Sequence, residues 1–106
     1  MNEVLEIALF QLKKDISKEQ FISYSENFQK EFVHQQEGFI ERKLVHSENG
    51  VWADIVTWRD MECATSVETK MGGNPHVLKY MNCLESDSIK LYRMNILNTY
   101  MKRDEE

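Results

Sequence analysis

The sequence predicts an α+β domain whose elements run strand, helix, strand, strand, helix, strand. Three observations carry this. Apolar residues recur with a period of two over residues 4–12, 39–47, 51–58 and 88–97. Two stretches of helical spacing open on capping residues, Ser17 and Asp60. Between the second and third strand-like runs stands Asn49-Gly50, a dipeptide whose tolerance of positive φ marks a hairpin.

Residues 4–12 are apolar on both alternating sets, Leu5, Ile7 and Leu9 on one and Val4, Ala8, Phe10 and Leu12 on the other. Both faces of that strand therefore need cover. Ser17 followed by Gln20 resembles a capping box, and Phe21, Tyr24, Phe28 and Phe32 repeat at helical spacing toward about Gln36. Gly38 ends this helix, and the second strand alternates Ile40 and Leu44 against Phe39 and Val45. A two-residue turn at Asn49-Gly50 sets Glu48 opposite Val51, Leu44 opposite Ile55 and Val45 opposite Asp54, with Lys43 diagonal to Asp54. The third strand again divides into two apolar sets, Val51, Ala53 and Ile55 against Trp52, Val56 and Trp58.

Asp60 caps a second helix with Met61, Ala64, Val67 and Met71 on its stripe, and Gly72-Gly73 stops it. Asn74-Pro75 starts a further helix through Val77, Leu78, Met81 and Leu84. The last strand sets Ile89 and Leu91 against Tyr92, Met94 and Ile96. Residues 102–106 are charged throughout, and about 98–106 reads as a flexible polar tail on a single domain spanning 1–106.

This order is the split βαβ arrangement of a ferredoxin-like sandwich, with an antiparallel sheet and both helices on one face. The other face would be left wet, yet the first and third strands carry apolar residues there too. A second copy of the chain, stacked sheet to sheet, is the simplest cover, so a homodimer is expected.

Composition narrows the partners. With 13 Lys and Arg against 18 Asp and Glu, the formal net charge is -5, and no basic run exceeds Lys13-Lys14. Neither nucleic acid nor an anionic membrane is an expected partner. Glu3 and Glu6 interrupt the opening where a secretory signal needs an unbroken apolar run, so a cytoplasmic protein is expected. Cys63 and Cys83 lack the close spacing of a metal or redox motif and read as two buried thiols.

Across nearly its whole length the sequence resembles the dimeric α+β barrel superfamily, specifically the antibiotic-biosynthesis-monooxygenase-like domains. The first strand, the Gly38-Phe39 start of the second, the run from Asp54 to Trp58 leading into residues 60–64, and the Asn74-Pro75 helix carry that resemblance. It implies cofactor-independent oxidation of an electron-rich phenol or quinol by dioxygen, with no metal or flavin, in a small-molecule pocket that favours the deprotonated substrate. It also implies an Asn and a Trp four residues apart. Here those positions are Asp54 and Trp58, so a carboxylate stands in place of a neutral amide. Asp54 is either a base whose pKa is raised by burial or one arm of an ion pair with Lys43. Trp58 is either a pocket wall or core.

Haem degradation is the second activity the resemblance implies, through an Asn on the first strand, a Trp in the second helix and a proximal His. His76 falls near the His position, whereas the Trp position falls near Val67 and the first strand offers no Asn within it. No cofactor is expected on the main reading, and haem is its alternative. The candidate catalytic residues are thus Asp54, Trp58 and His76, and the pocket is drawn from Asp54, Trp58, His76 and Tyr24. His46, placed by the two-residue turn with Leu44, Ala53 and Ile55, is a core or pocket group. Arg42 and Arg93 either bind an anionic substrate or pair with Glu6 and Asp54 to fix dimer register. Tyr24, His46, Arg42 and Arg93 together form the substrate-binding set. A non-catalytic dimer that binds a small apolar ligand or serves as an accessory subunit uses the same residues as structural pairs.

Overall fold

The computed structural model describes residues 2–102. Its elements are β1 (Val4–Phe10), α1 (Lys18–Glu31), β2 (Phe39–His46), β3 (Trp52–Trp58), α2 (Met61–Ser66), α3 (Pro75–Met81) and β4 (Lys90–Asn95). The four strands form one antiparallel sheet in the order β2-β3-β1-β4, the ferredoxin-like topology. The expected capping residues open the helices: Ser17 Oγ accepts from Gln20 N at 3.1 Å, Asp60 Oδ1 from Cys63 N at 2.9 Å, and Asn74 Oδ1 from His76 N at 2.9 Å.

Two helices are shorter than their sequence periods suggest. Past Glu31 the chain tightens into a 3-10 turn at Val33–Gln35, so α1 stops before Gln36. Past Ser66 the second helix becomes the 3-10 turn Val67–Lys70. There Thr65, Ser66 and Thr69 turn their hydroxyls back onto the carbonyls of Met61, Cys63 and Ser66, competing with the α-helical ladder. In α3 the buried residues are Val77 and Tyr80, while Leu78 is half exposed. Stacking of Tyr80 on Phe21 and Phe28, with centroids 5.0 and 4.5 Å apart, selects that stripe.

The β2–β3 hairpin corrects the expected register by one residue. Ser47 N donates to Val51 O at 2.8 Å, and Gly50 adopts φ +86°, so the loop holds three residues, 48–50. Leu44 consequently faces Asp54, Val45 faces Ala53 and His46 faces Trp52. Because side chains alternate, a slip of one exchanges the faces of the whole strand relative to β3. Arg42 comes to the Asp54 side, and Lys43 is left on the opposite face, paired with Glu41 at 3.3 Å in solvent. His46 shares its face with Leu44, Trp52 and Asp54 instead of Ala53 and Ile55.

At the start of β2, Gly38 has φ +81°, and a Cβ there would lie 2.5 Å from Cys63 Sγ. Only glycine lets this backbone cross so close to α2.

The helix-covered face of the sheet presents Val4, Glu6, Ala8 and Phe10 from β1 and Trp52, Asp54, Val56 and Trp58 from β3. Both tryptophans therefore point to the helices. Phe10, Phe21, Phe28, Trp52 and Tyr80 form the larger core, and Val4, Val56, Trp58, Cys63 and Ala64 a smaller one under α2. The opposite face bears Leu5, Ile7, Leu9 and Ile55 at its centre, flanked by the exposed Val45, Tyr92 and Met94. After β4, Leu97, Tyr100 and Met101 are also exposed; of the expected charged tail, residues 103–106 lie outside the described residues. Among the described residues no helix is long and apolar enough to cross a membrane.

Candidate functional site

Between the covered sheet face and the helices lies a cavity of about 260 Å³. Its wall is apolar and aromatic, with Phe28, Phe32, Val56, Trp58, Met71 and Tyr80 among the lining residues. Two polar clusters interrupt it, each brought together by the sheet register.

The first cluster is centred on Asp54. Arg42 grips its carboxylate with two hydrogen bonds, Nε to Oδ1 at 2.8 Å and Nη2 to Oδ2 at 2.9 Å. Tyr80 donates its hydroxyl to Oδ2 at 2.5 Å. The remaining guanidinium hydrogens of Arg42 go to α1, where Ser25 Oγ accepts at 2.9 Å and Ser25 O at 3.2 Å. The Arg42 carbon also lies 4.9 Å from the Phe28 ring centroid. With side-chain exposures of 6% and 10%, Arg42 and Asp54 form a buried, bidentate pair. Burial, followed by the charge of Asp54, pushes the Tyr80 phenol well above the usual tyrosine range. It remains a neutral donor. Burial alone would pull the Arg42 guanidinium down, but the Asp54 hydrogen bonds and charge outweigh it, and the net shift is upward.

The second cluster is centred on Glu6. The Trp58 indole Nε1 donates to its Oε1 at 2.9 Å, and Arg93 Nε donates to Oε2 at 2.7 Å. Arg93 also reaches Glu68 Oε1 at 2.5 Å through Nη2, tying β4 to the 3-10 turn after α2. Glu6 faces Val56 on β3 and Arg93 on β4, which is why residues 87 positions apart in sequence can pair.

Of the residues singled out from sequence, Asp54, Trp58, Arg42 and Arg93 line this cavity, and Tyr24, His46 and His76 do not. Tyr24 sits on the flank of α1, its hydroxyl accepting from Gln20 Nε2 at 3.2 Å. His46 is exposed and packs against Trp52, with centroids 4.4 Å apart, in a separate cleft of about 660 Å³ between α1 and β2. His76 stands in the first turn of α3, away from the cavity lining, because Val77 and Tyr80 occupy the inward side of that short helix. The expected Lys43–Asp54 pair is replaced by Arg42–Asp54 through the hairpin register. Tyr80 and Glu68 are the cavity's polar residues that the sequence did not single out. A tyrosine three residues after Val77 was the available signal for one, and nothing local marked the other.

Among the described residues neither the haem-binding set nor a metal set comes together. His76 lies outside the cavity, Val67 lines it where the haem reading needs a Trp, and β1 offers Glu6. Among the described residues no three His, Cys, Asp or Glu side chains converge as a metal site. Cys63 and Cys83 are free and buried, and burial raises both thiols above their ordinary pKa.

This ferredoxin-like sandwich, with a cavity between sheet and helices and an apolar opposite face, is a fold shared with solved structures of low sequence identity. SnoaB, described as a cofactor-independent oxygenase from Streptomyces nogalater, superposes with a TM-score of 0.76 at 16% identity, covering 96% of this chain and 100% of that one. A protein proposed to be an antibiotic biosynthesis monooxygenase, from Bordetella bronchiseptica, gives 0.75 at 11% identity, covering 92% and 100%. A dimeric ferredoxin-like protein from an uncultured marine organism gives 0.66 at 10% identity, covering 97% and 95%. No protein-family model matches the sequence, and no curated protein does.

Proposed function

We propose that this protein is a homodimeric, cofactor-independent oxygenase acting on a small electron-rich phenol or quinol. The observation that carries the reading is the aromatic cavity with a polar cluster in two places on its wall. Such a cavity excludes water from a flat apolar substrate while orienting its oxygen substituents. The fold shared with SnoaB supports the choice of chemistry and the omission of a cofactor.

In the proposed reaction a phenol with a free para carbon loses its hydroxyl proton, and the ring carbon gains carbanion character. Dioxygen accepts the electrons; one oxygen atom becomes the new carbonyl and the other leaves as water, so phenol and dioxygen give quinone and water. Trp58, Phe28 and Phe32 form the wall against which the ring would lie. The dimer is proposed from the half-buried apolar stripe Leu5, Ile7, Leu9 and Ile55 and the exposed Val45, Tyr92 and Met94 beside it, which a second copy would cover without a further partner.

A second reading is favoured by one specific observation: both oxygens of Asp54 already hold hydrogen bonds from Arg42 and Tyr80, three donors in all, which leaves little room for a substrate there. A non-catalytic ligand-binding or accessory dimer would keep such a pair for structure alone. Oxygen uptake with 1-naphthol, in the presence of a metal chelator, separates the two. Enzyme-dependent uptake with one equivalent of 1,4-naphthoquinone formed supports the oxygenase. Binding without uptake supports the second reading. Native mass spectrometry tests the dimer, and a monomer at micromolar concentration would overturn that part.

A further inference from the structure

We propose that Glu6 selects the ligand by charge, so that the cavity takes an aromatic molecule offering a hydroxyl donor and rejects an aromatic carboxylate of the same size. This rests on reading the cavity as the substrate site and deepens it.

An ionised carboxylate offers about four acceptor positions. Three donors occupy Asp54 and leave about one position, whereas Glu6 receives two, from Trp58 and Arg93, and leaves about two. Glu6 therefore keeps acceptor capacity beside the cavity, and its side chain is only 16% exposed. The charges point the same way. Three carboxylates, Glu6, Asp54 and Glu68, line the cavity with two guanidiniums, Arg42 and Arg93, a formal excess of one negative charge. Arg42 is matched by Asp54, and Arg93 is divided between Glu6 and Glu68. Among the described residues no lining cation is left over for an incoming anion. A ligand carboxylate would lose its hydration and meet an unbalanced negative wall. A hydroxyl would instead donate to Glu6 and lie against Trp58, whose indole Glu6 already holds in place.

Titration calorimetry with 1-naphthol and 1-naphthoate tests this on the whole protein and on Glu6→Gln. The expected result is naphthoate binding at least about tenfold more weakly than naphthol, a ratio that collapses in Glu6→Gln. The amide still offers an acceptor to Trp58, which favours folding of the variant. In the unsubstituted protein the Trp58 indole N–H resonance should also shift when naphthol is added. Equal or tighter naphthoate binding, a ratio unchanged in Glu6→Gln, or no binding of either compound overturns the proposal. Charge selection without oxygen uptake would sink the oxygenase and leave this inference standing, and oxygen uptake without charge selection would do the reverse.

Discussion

The two polar clusters of the cavity are built from the same parts, a strand carboxylate, a strand arginine and an aromatic donor, and they are used differently. At Asp54 the guanidinium is bidentate and buried, and the phenol of Tyr80 adds a third donor. At Glu6 the guanidinium gives one hydrogen bond and spends another on the half-exposed Glu68. A buried bidentate pair fixes geometry, because removing either member strands a charge away from water. A less occupied one retains more capacity for a ligand. The difference is one of occupancy: Asp54 holds three donors in a buried bidentate pair, whereas Glu6 holds two and shares its arginine with Glu68.

The largest expected effect breaks the Asp54 cluster. Asp54→Ala leaves Arg42 buried without its partner and should cost about 3–5 kcal/mol, measured by urea denaturation. A cost no larger than that of a surface substitution would show that Arg42 escapes to solvent. Tyr80→Phe removes one donor and should cost about 1 kcal/mol near neutral pH. It should also change the alkaline limb. The Tyr80 phenol is raised in the folded chain, so above about pH 10 the unfolded chain loses a proton that the folded one keeps. Its contribution is full below that pH and is lost as pH rises toward the folded value. Comparing denaturation midpoints of the two proteins from pH 8 to 11, the gap should narrow and then close or reverse. A constant gap would count against a buried neutral phenol.

Glu6→Gln sharpens the contrast, with an expected loss of roughly 1 kcal/mol or less, because Arg93 keeps Glu68 and the amide oxygen can accept from Trp58. A loss as large as that of Asp54→Ala would make the two clusters equivalent. The smallest effect is expected at Lys43, which the sequence placed beside Asp54. Lying exposed on the other face, Lys43→Ala should alter stability by less than about 0.5 kcal/mol and leave naphthol binding unchanged.

How much of this was legible can be argued from particular residues. Ser17, Asp60 and Asn74 declared the helix starts, because capping is local chemistry, and the alternation in β1 and β3 declared two apolar faces. Asn49-Gly50 marked the hairpin but fits either a two- or a three-residue loop. The choice between them decided whether Lys43 or Arg42 met Asp54. Tyr80 was hidden because α3 is too short for its period to choose between Leu78 and Tyr80 without the rings of α1. Arg93 and Glu6 were both visible as polar residues in strands, but their joint place on the cavity wall depends on strand order and on which face the helices cover.

The alternation in β1 gives one short segment two separable duties. Glu6 and Ala8 face the cavity, while Leu5, Ile7 and Leu9 face outward, where a partner would sit. In the proposed homodimer, substitution at an odd position should alter assembly and leave ligand choice untouched, and substitution at an even position should do the opposite. Loss of a single residue within the strand would exchange the two sets, putting a carboxylate on the outer face and isoleucine against the ligand. Replacement can change one face of this strand at a time, but any change in its length must alter both at once.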